Sequence, residues 1–233
     1  MKQVQPSVVV GLGGTGVSTI TFLKKALEEQ APDLKEFVRF LAIDIDELKG
    51  ELPSANLFGE PIRLDGDKNE FFRITDQTDG AGARNIPEVS SWFPEKGYQF
   101  LPLTEGARQI KAIGRLGFFL AHEELARRIH RLTDRLVTNE VKQRFPGLRS
   151  GELNIYIVSS ICGGTGAGLC IDTAYELRYL QQQAELPTKC RIKGLFALGD
   201  VYDAVSKRVL ANTYASLREL NWFQRESASY SPD

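Results

Sequence analysis

Short β-branched runs alternate with longer stretches of helical period along this chain. Val8–Gly11 reads as a buried strand. The next segment, about Thr15 to Glu29, repeats apolar residues at Ile20, Leu23 and Leu27 and reads as a helix ended by Ala31-Pro32-Asp33. Val38–Ile43 is a second strand, followed by the acidic group Asp44, Asp46 and Glu47. Residues 48–104 break the rhythm with Pro53, Pro61, Pro87, Pro94 and Pro102 and only short apolar runs. They predict a long connection with small helices over the sheet edge. From Gly106 to about Phe145 the helical period returns at Ile110, Ile113, Leu116, Leu120, Leu125, Ile129, Leu132 and Leu136. Gly114 and Gly117 inside it mark either close backbone packing or a break. After Pro146-Gly147 come a strand at Leu153–Ser159, a helix from about Gly168 to Gln183, a strand at Cys190–Leu198 and a helix at Val205–Phe223. Strands that alternate with helices predict βαβ units. The expected fold is three-layer α/β, a parallel sheet with helices on both faces, as one domain over residues 1–223 with a polar tail at 224–233.

Composition narrows the function classes. The 233 residues are 42% hydrophobic, enough to bury a substantial core. The net charge of -1 excludes a dedicated nucleic-acid binder, which needs a basic face. The basic positions Arg127, Arg128, Arg131, Arg135, Lys142 and Arg144 read as the solvated side of a long helix. Cys162, Cys170 and Cys190 have no paired spacing, which fits a reducing compartment. No apolar run reaches the ~20 residues a membrane span requires. The N-terminus has no signal-peptide pattern, so a cytoplasmic protein without membrane insertion is expected. His122 and His130 lack zinc-type neighbours, and no metal ligands are assigned.

Two glycine clusters carry the candidate chemistry. Gly11-Leu12-Gly13-Gly14-Thr15-Gly16 follows the first strand, and Gly163-Gly164-Thr165-Gly166-Ala167-Gly168 follows the strand at Leu153–Ser159. Each opens a helix. Bare backbone lets phosphate oxygens approach N–H groups at a helix N-terminus. Gly11, Gly13 and Gly16 fit G-x-G-x-x-G, and Asp44 ends the next strand where a ribose-binding acid is expected. No lysine follows either cluster at the P-loop position, so charge must be neutralised by backbone, helix ends and a cation. Arg108 and Arg115 read equally as phosphate contacts or as ion-pair partners. Trp92, Phe93, Tyr98 and Phe100 read as a satellite cluster under the long connection.

The segment Ser159-Ser160-Ile161-Cys162-Gly163-Gly164-Thr165-Gly166-Ala167-Gly168 resembles the GGGTGSG signature of the tubulin/FtsZ superfamily, with Cys162 where the family usually has its first glycine. Gly11–Gly16 resembles that family's first nucleotide loop, and Asp44 and Asp46 sit where its second loop follows the second strand. Gly80-Ala81-Gly82-Ala83-Arg84-Asn85 resembles the third loop, which faces the γ-phosphate. Asp200 to Leu220, with Asp203, Arg208 and Asn212, resembles the ribose-facing loop and the helix after it. The segment Thr104 to Phe118 is similar to that of the divergent bacterial tubulin-like proteins.

The resemblance implies a Rossmann-like nucleotide-binding domain that takes GTP or GDP with Mg²⁺. Gly11, Gly13, Gly14, Gly16, Gly163, Gly164, Gly166 and Gly168 would supply backbone donors, with Ala167 between the last two. Thr15 and Thr165 would add hydroxyls, and Asp44 or Asp46 would act near the metal or ribose. Ala81, Gly82 and Ala83 would close over the γ-phosphate, and Asp200, Asp203 and Asn212 would face the ribose or base. The partners implied are guanine nucleotide and further subunits of a filament. Family members continue into a central helix and a second domain, and a neighbouring subunit supplies the acid that drives hydrolysis. No catalytic residue is therefore assigned, and slow or no hydrolysis is expected of the isolated chain. Two other classes stay open: an NAD(P)-dependent oxidoreductase using only the first cluster, and a non-catalytic scaffold module. Gly166→Val is expected to separate the three, since only the first reading needs a bare backbone there.

Overall fold

The computed structural model describes residues 5–45, 64, 70–76, 82–94, 103–136, 152–186, 189–202 and 207–225. In chain order these form β1 (Ser7–Leu12), α1 (Gly13–Gln30), β2 (Val38–Asp44), β3 (Phe71–Arg73), α2 (Pro87–Trp92), α3 (Lys111–Leu136), β4 (Glu152–Ser160), α4 (Thr165–Gln182), β5 (Lys189–Ala197) and α5 (Lys207–Phe223). The strands make one sheet of order β3-β2-β1-β4-β5, parallel at every pairing. Register aligns Leu12 with Ile43 on one side and with Ser159 on the other. The ends of β1, β2 and β4 therefore fall level, and the chain reverses direction across the sheet at β1. Ligands of open α/β sheets bind at such a switch point.

The sheet is covered unequally. Val8, Val10, Leu12, Leu41, Ile43, Ile155 and Ile157 point to the face packed by α3 and α4. Val9, Phe40, Ala42 and Val158 point to the other face, under Val17 and Ile20 of α1. The inward stripe of α1 differs from the expected one. Leu23 is 43% exposed, and Lys24 takes the buried position. Lys24 can sit there because its ammonium meets Glu70 Oε2 at 2.6 Å, so the buried charge is paired. Apolar periodicity alone misses this, since a lysine scores as surface.

Two other features depart from expectation. The connection after β2 contains an edge strand, β3, whose three residues are too few to show a period. The segment expected as a helix from Gly106 begins only at Lys111. Before it, Arg108 and Gln109 have φ of 43° and 60°, and left-handed residues cannot carry a right-handed ladder. Gly114 and Gly117 mark no break. A Cβ on Gly117 would come within 2.9 Å of Ile45 Cδ1, and one on Gly114 would press on the Gly164 carbonyl. The two glycines let an unbroken α3 settle onto α4 and β2. The expected helical stretch beyond Leu136 lies outside the described residues. Among the described residues no helix is long and apolar enough to cross a membrane.

Candidate functional site

The two glycine clusters meet at the switch point. α1 and α4 run 18 residues each and start directly after β1 and β4. Neither has a side-chain hydrogen bond at its N-cap, Leu12 or Gly164, and neither has an acid in its first turn. Their first-turn N–H groups and positive dipole ends are thus left without a capping side chain or an acid of their own helix. Between them lies a cavity of about 290 Å³. Leu12, Gly13, Gly14 and Thr15 line it from α1, and Ser160, Gly163, Gly164, Thr165 and Gly166 from α4. Asp44 closes it from β2, and Ala107, Arg108 and Gln109 from the turn before α3. That volume suits a phosphate chain rather than a whole nucleotide, since pockets for whole ligands run roughly 300–1,000 Å³.

The glycines divide into two kinds. Gly13 has φ 68°, and a Cβ there would also come within 2.9 Å of Gly166 N. Gly11 and Gly16 press on each other's backbone, where a Cβ on Gly16 would lie 2.7 Å from Gly11 C. Gly168 gives α3 its closest approach, against Gly114 Cα at 2.6 Å from such a Cβ. These four join strand to helix or helix to helix, and Gly11, Gly16 and Gly168 are not among the residues lining the cavity. Gly166 does line it, yet a Cβ there would lie 2.8 Å from Ser160 O and 2.9 Å from Leu12 O. Gly166→Val would therefore disrupt the packing whatever the ligand, and it cannot separate the functional classes as expected. Gly14 and Gly163 are the opposite case. A Cβ on Gly163 meets nothing within 4 Å, and one on Gly14 meets only Asp44 Oδ2, at 4.0 Å.

The polar side chains around the cavity are partly committed. The Asp44 carboxylate is buried, and its Oδ1 accepts the Ile45 N–H at 2.8 Å. The Thr15 hydroxyl is 2.7 Å from the Tyr202 hydroxyl, a contact that ties the segment after β5 to the start of α1. Asn212 of α5 donates to Gln109 O at 2.9 Å and to Cys162 O at 3.0 Å. Its amide thus holds the turn before α3 against the second glycine loop rather than lining the cavity. Ser160 Oγ accepts the Cys162 N–H at 3.2 Å and lies 2.7 Å from Cys162 Sγ, so the residue replacing the family glycine folds back onto the strand end. Tyr202, Gln109 and Ser160 are contributions that no spacing in the sequence signalled.

The other expected residues are dispersed. Ala83 is buried in the core, Gly82 is exposed, and Asp200 is exposed in the short helix Gly199–Tyr202. Ala167 faces a separate cavity beneath α5. Asp46, Ala81 and Asp203 lie outside the described residues, as do Tyr98 and Phe100 of the expected aromatic cluster. Trp92 and Phe93 do pack together, with centroids 5.9 Å apart. Arg115 stands over Trp92 at 4.8 Å and pairs with Asp172 at 3.5 Å, so of its two readings the ion pair is the one realised. That pair lines two larger cavities, of about 680 and 570 Å³, beside α3 and α4. Their walls are rich in aromatic side chains and include no turn of the second cluster other than Ala167 and Gly168. The smallest of these three cavities is thus the one at which the two helix ends converge.

A family model described as "Tubulin like" matches residues 8–233. Among curated protein sequences none matches the chain. Similar solved structures include CetZ2 from Haloferax volcanii as a GTPγS-bound protofilament, at 14% identity and a TM-score of 0.47, covering 96% of this chain and 52% of that one. CetZ1 from Haloferax volcanii as a GDP-bound monomer is 15% identical with a TM-score of 0.43, covering 96% and 53%. The chain spans about half the length of these structures. With the family match running over nearly all of its residues, the chain belongs to the tubulin-like family.

Proposed function

We propose that this chain is the nucleotide-binding part of a tubulin-like protein and takes GTP or GDP. The observation that carries the reading is the pair of long helices whose uncapped N-termini converge on one cavity at the sheet's switch point. One helix end is a common anion site; two facing ends with bare backbone suit a chain of phosphates. An oxidoreductase would use the first cluster alone, whereas here both loops line one cavity and a Cβ on Gly13 would come within 2.9 Å of Gly166 N.

Mg²⁺ fits the residues present. The ion is commonly held by one or two carboxylates together with phosphate oxygens and water. The buried Asp44 carboxylate in the cavity wall and the Thr15 hydroxyl are oxygen donors of the required hardness. When bound, the cation would offset phosphate charge; Asp44 would orient its water shell, and the glycine loops would fix the phosphates. Hydrolysis depends chiefly on positioning and charge neutralisation. With the water-activating acid expected from another subunit, the chain alone binds nucleotide and turns it over slowly or not at all.

Self-association into filaments is part of the same reading. Tyr214 and Val201 are 65% and 71% exposed, and Leu195, Leu210, Leu217 and Trp222 are about half exposed. Leu210, Tyr214 and Leu217 lie three or four residues apart along α5, a spacing that puts them on one helix face suited to cover by further protein.

Thermal unfolding with GTP, GDP, ATP and NAD, each with and without Mg²⁺, tests the proposal. A ligand at a hundred times its Kd stabilises by roughly 2.7 kcal/mol. A shift with guanine nucleotides, larger with Mg²⁺, is expected. A shift with NAD alone, or with no ligand, refutes the reading.

A further inference from the structure

The cavity between the glycine loops has one cation, Arg108, and one acid, Asp44, among its described lining residues. No lysine stands after either cluster where a P-loop would place one; Val17 and Leu169 occupy those positions. A nucleotide phosphate chain carries several negative charges, and two helix ends supply only partial positive charge against it. Beside the Mg²⁺ of the reading above, a side-chain cation would offset more of that charge.

Arg108 is delivered to the cavity wall by an unusual turn. Gly106, Arg108 and Gln109 have φ of 73°, 43° and 60°. Glycine adopts this region freely, but a residue with a Cβ is strained there. Two such residues in succession persist because the turn is fastened on both sides. Ala107 lies against Gly164 so closely that a Cβ on that glycine would come within 2.6 Å of the alanine methyl. Asn212 donates at once to Gln109 O and to Cys162 O, linking the turn to the strand end that leads into the second glycine loop. A relaxed helical start at this point would continue α3 back through residue 106 and carry Arg108 around the helix instead of into the wall. The strained backbone is thus the part of the turn that sets Arg108 among the residues lining the cavity.

We propose that Arg108 is the phosphate-chain cation of this site, taking the place that a lysine fills in P-loop proteins. The inference rests on the nucleotide reading given above. A planar guanidinium presents two parallel donors to phosphate oxygens, which a point-charge ammonium does not. Its attraction grows with the charge it faces, so it favours a triphosphate over a diphosphate.

Calorimetric titration of the intact chain with GTPγS and with GDP, both with Mg²⁺, tests this. Arg108→Ala is expected to lower the affinity for GTPγS on the order of tenfold and for GDP by less, with the ligand-free chain still unfolding cooperatively. Arg108→Lys should recover part of the loss. Arg108→Gly should bind as weakly as the alanine variant while melting higher, because it relieves the backbone and removes the charge together. Equal losses for the two nucleotides, or none, overturn the proposal while leaving the nucleotide site in place. Absence of binding by the unaltered chain overturns the site reading itself, and Arg108 with it.

Discussion

Alanine at Gly16 and alanine at Gly163 add the same methyl group to neighbouring parts of one motif, with opposite expected results. At Gly16 the methyl carbon would lie 2.7 Å from Gly11 C and 3.0 Å from Gly11 Cα, with the Val158 carbonyl closer still. Carbon contacts are optimal at roughly 3.5–4.0 Å, so the overlap is about 0.5–1 Å against backbone. That backbone belongs to β1 and β4, the two central strands, and cannot yield without parting the sheet. Overpacking costs about 1–3 kcal/mol, and more where nothing can move, against a gain of about 1 kcal/mol from replacing a helical glycine. A net loss near 2 kcal/mol lowers the melting temperature of a chain this size by about 4–8 °C. At Gly163 the methyl meets nothing within 4 Å, and no left-handed φ forbids it. Stability should stay within about 0.5 kcal/mol of the parent or rise slightly. Because the methyl stands at the cavity wall, nucleotide affinity should fall all the same. Circular-dichroism melting and urea titration of both variants, followed by nucleotide titration of Gly163→Ala, read out the contrast. If Gly163→Ala destabilises as much as Gly16→Ala, the division into packing and ligand-facing glycines is wrong.

Two further outcomes follow from buried ionisable groups. Glu70→Gln leaves the Lys24 ammonium under α1 without its carboxylate and should destabilise by roughly 3–5 kcal/mol in urea, whereas the double variant Lys24→Met/Glu70→Leu should recover most of it; a single variant as stable as the parent would show the pair to be solvated. Burial pushes the thiols of Cys170 and Cys190 up to about 11, so at pH 8 roughly a thousandth of each is thiolate, and disulfide-exchange reagents should react with them far more slowly in the folded than in the urea-unfolded chain. Since the folded values lie above the unfolded one, these thiols favour the folded state fully below about pH 9 and lose that effect as pH rises toward 11.

Sequence alone determined the architecture and which loops follow β1 and β4 as glycine clusters. Val8–Val10, Phe40–Ile43 and Ile155–Val158 are apolar on successive residues, as in a strand buried on both faces, and the segments after the first and before the third carry helical period. Glycine clusters after two such strands marked the loops, since a strand's end and the next helix's start are adjacent in the chain and their chemistry is local. The tertiary structure decided what each glycine does, because the atoms that exclude a Cβ include Val158 O at Gly16, Leu12 O at Gly166 and α3 backbone at Gly168, all from segments distant in sequence. It also decided that Lys24 is buried, through Glu70, and that Asn212 binds backbone, through Gln109 and Cys162. The role of Arg108 was open in the sequence for the same reason. Arg108 reads there equally as a phosphate contact or an ion-pair partner, and the left-handed turn, held from α5 and from the second glycine loop, puts it among the residues lining the cavity. Periodicity reports which face of an element is apolar; which element meets which, and so which polar group is paired, is fixed only when the sheet has assembled.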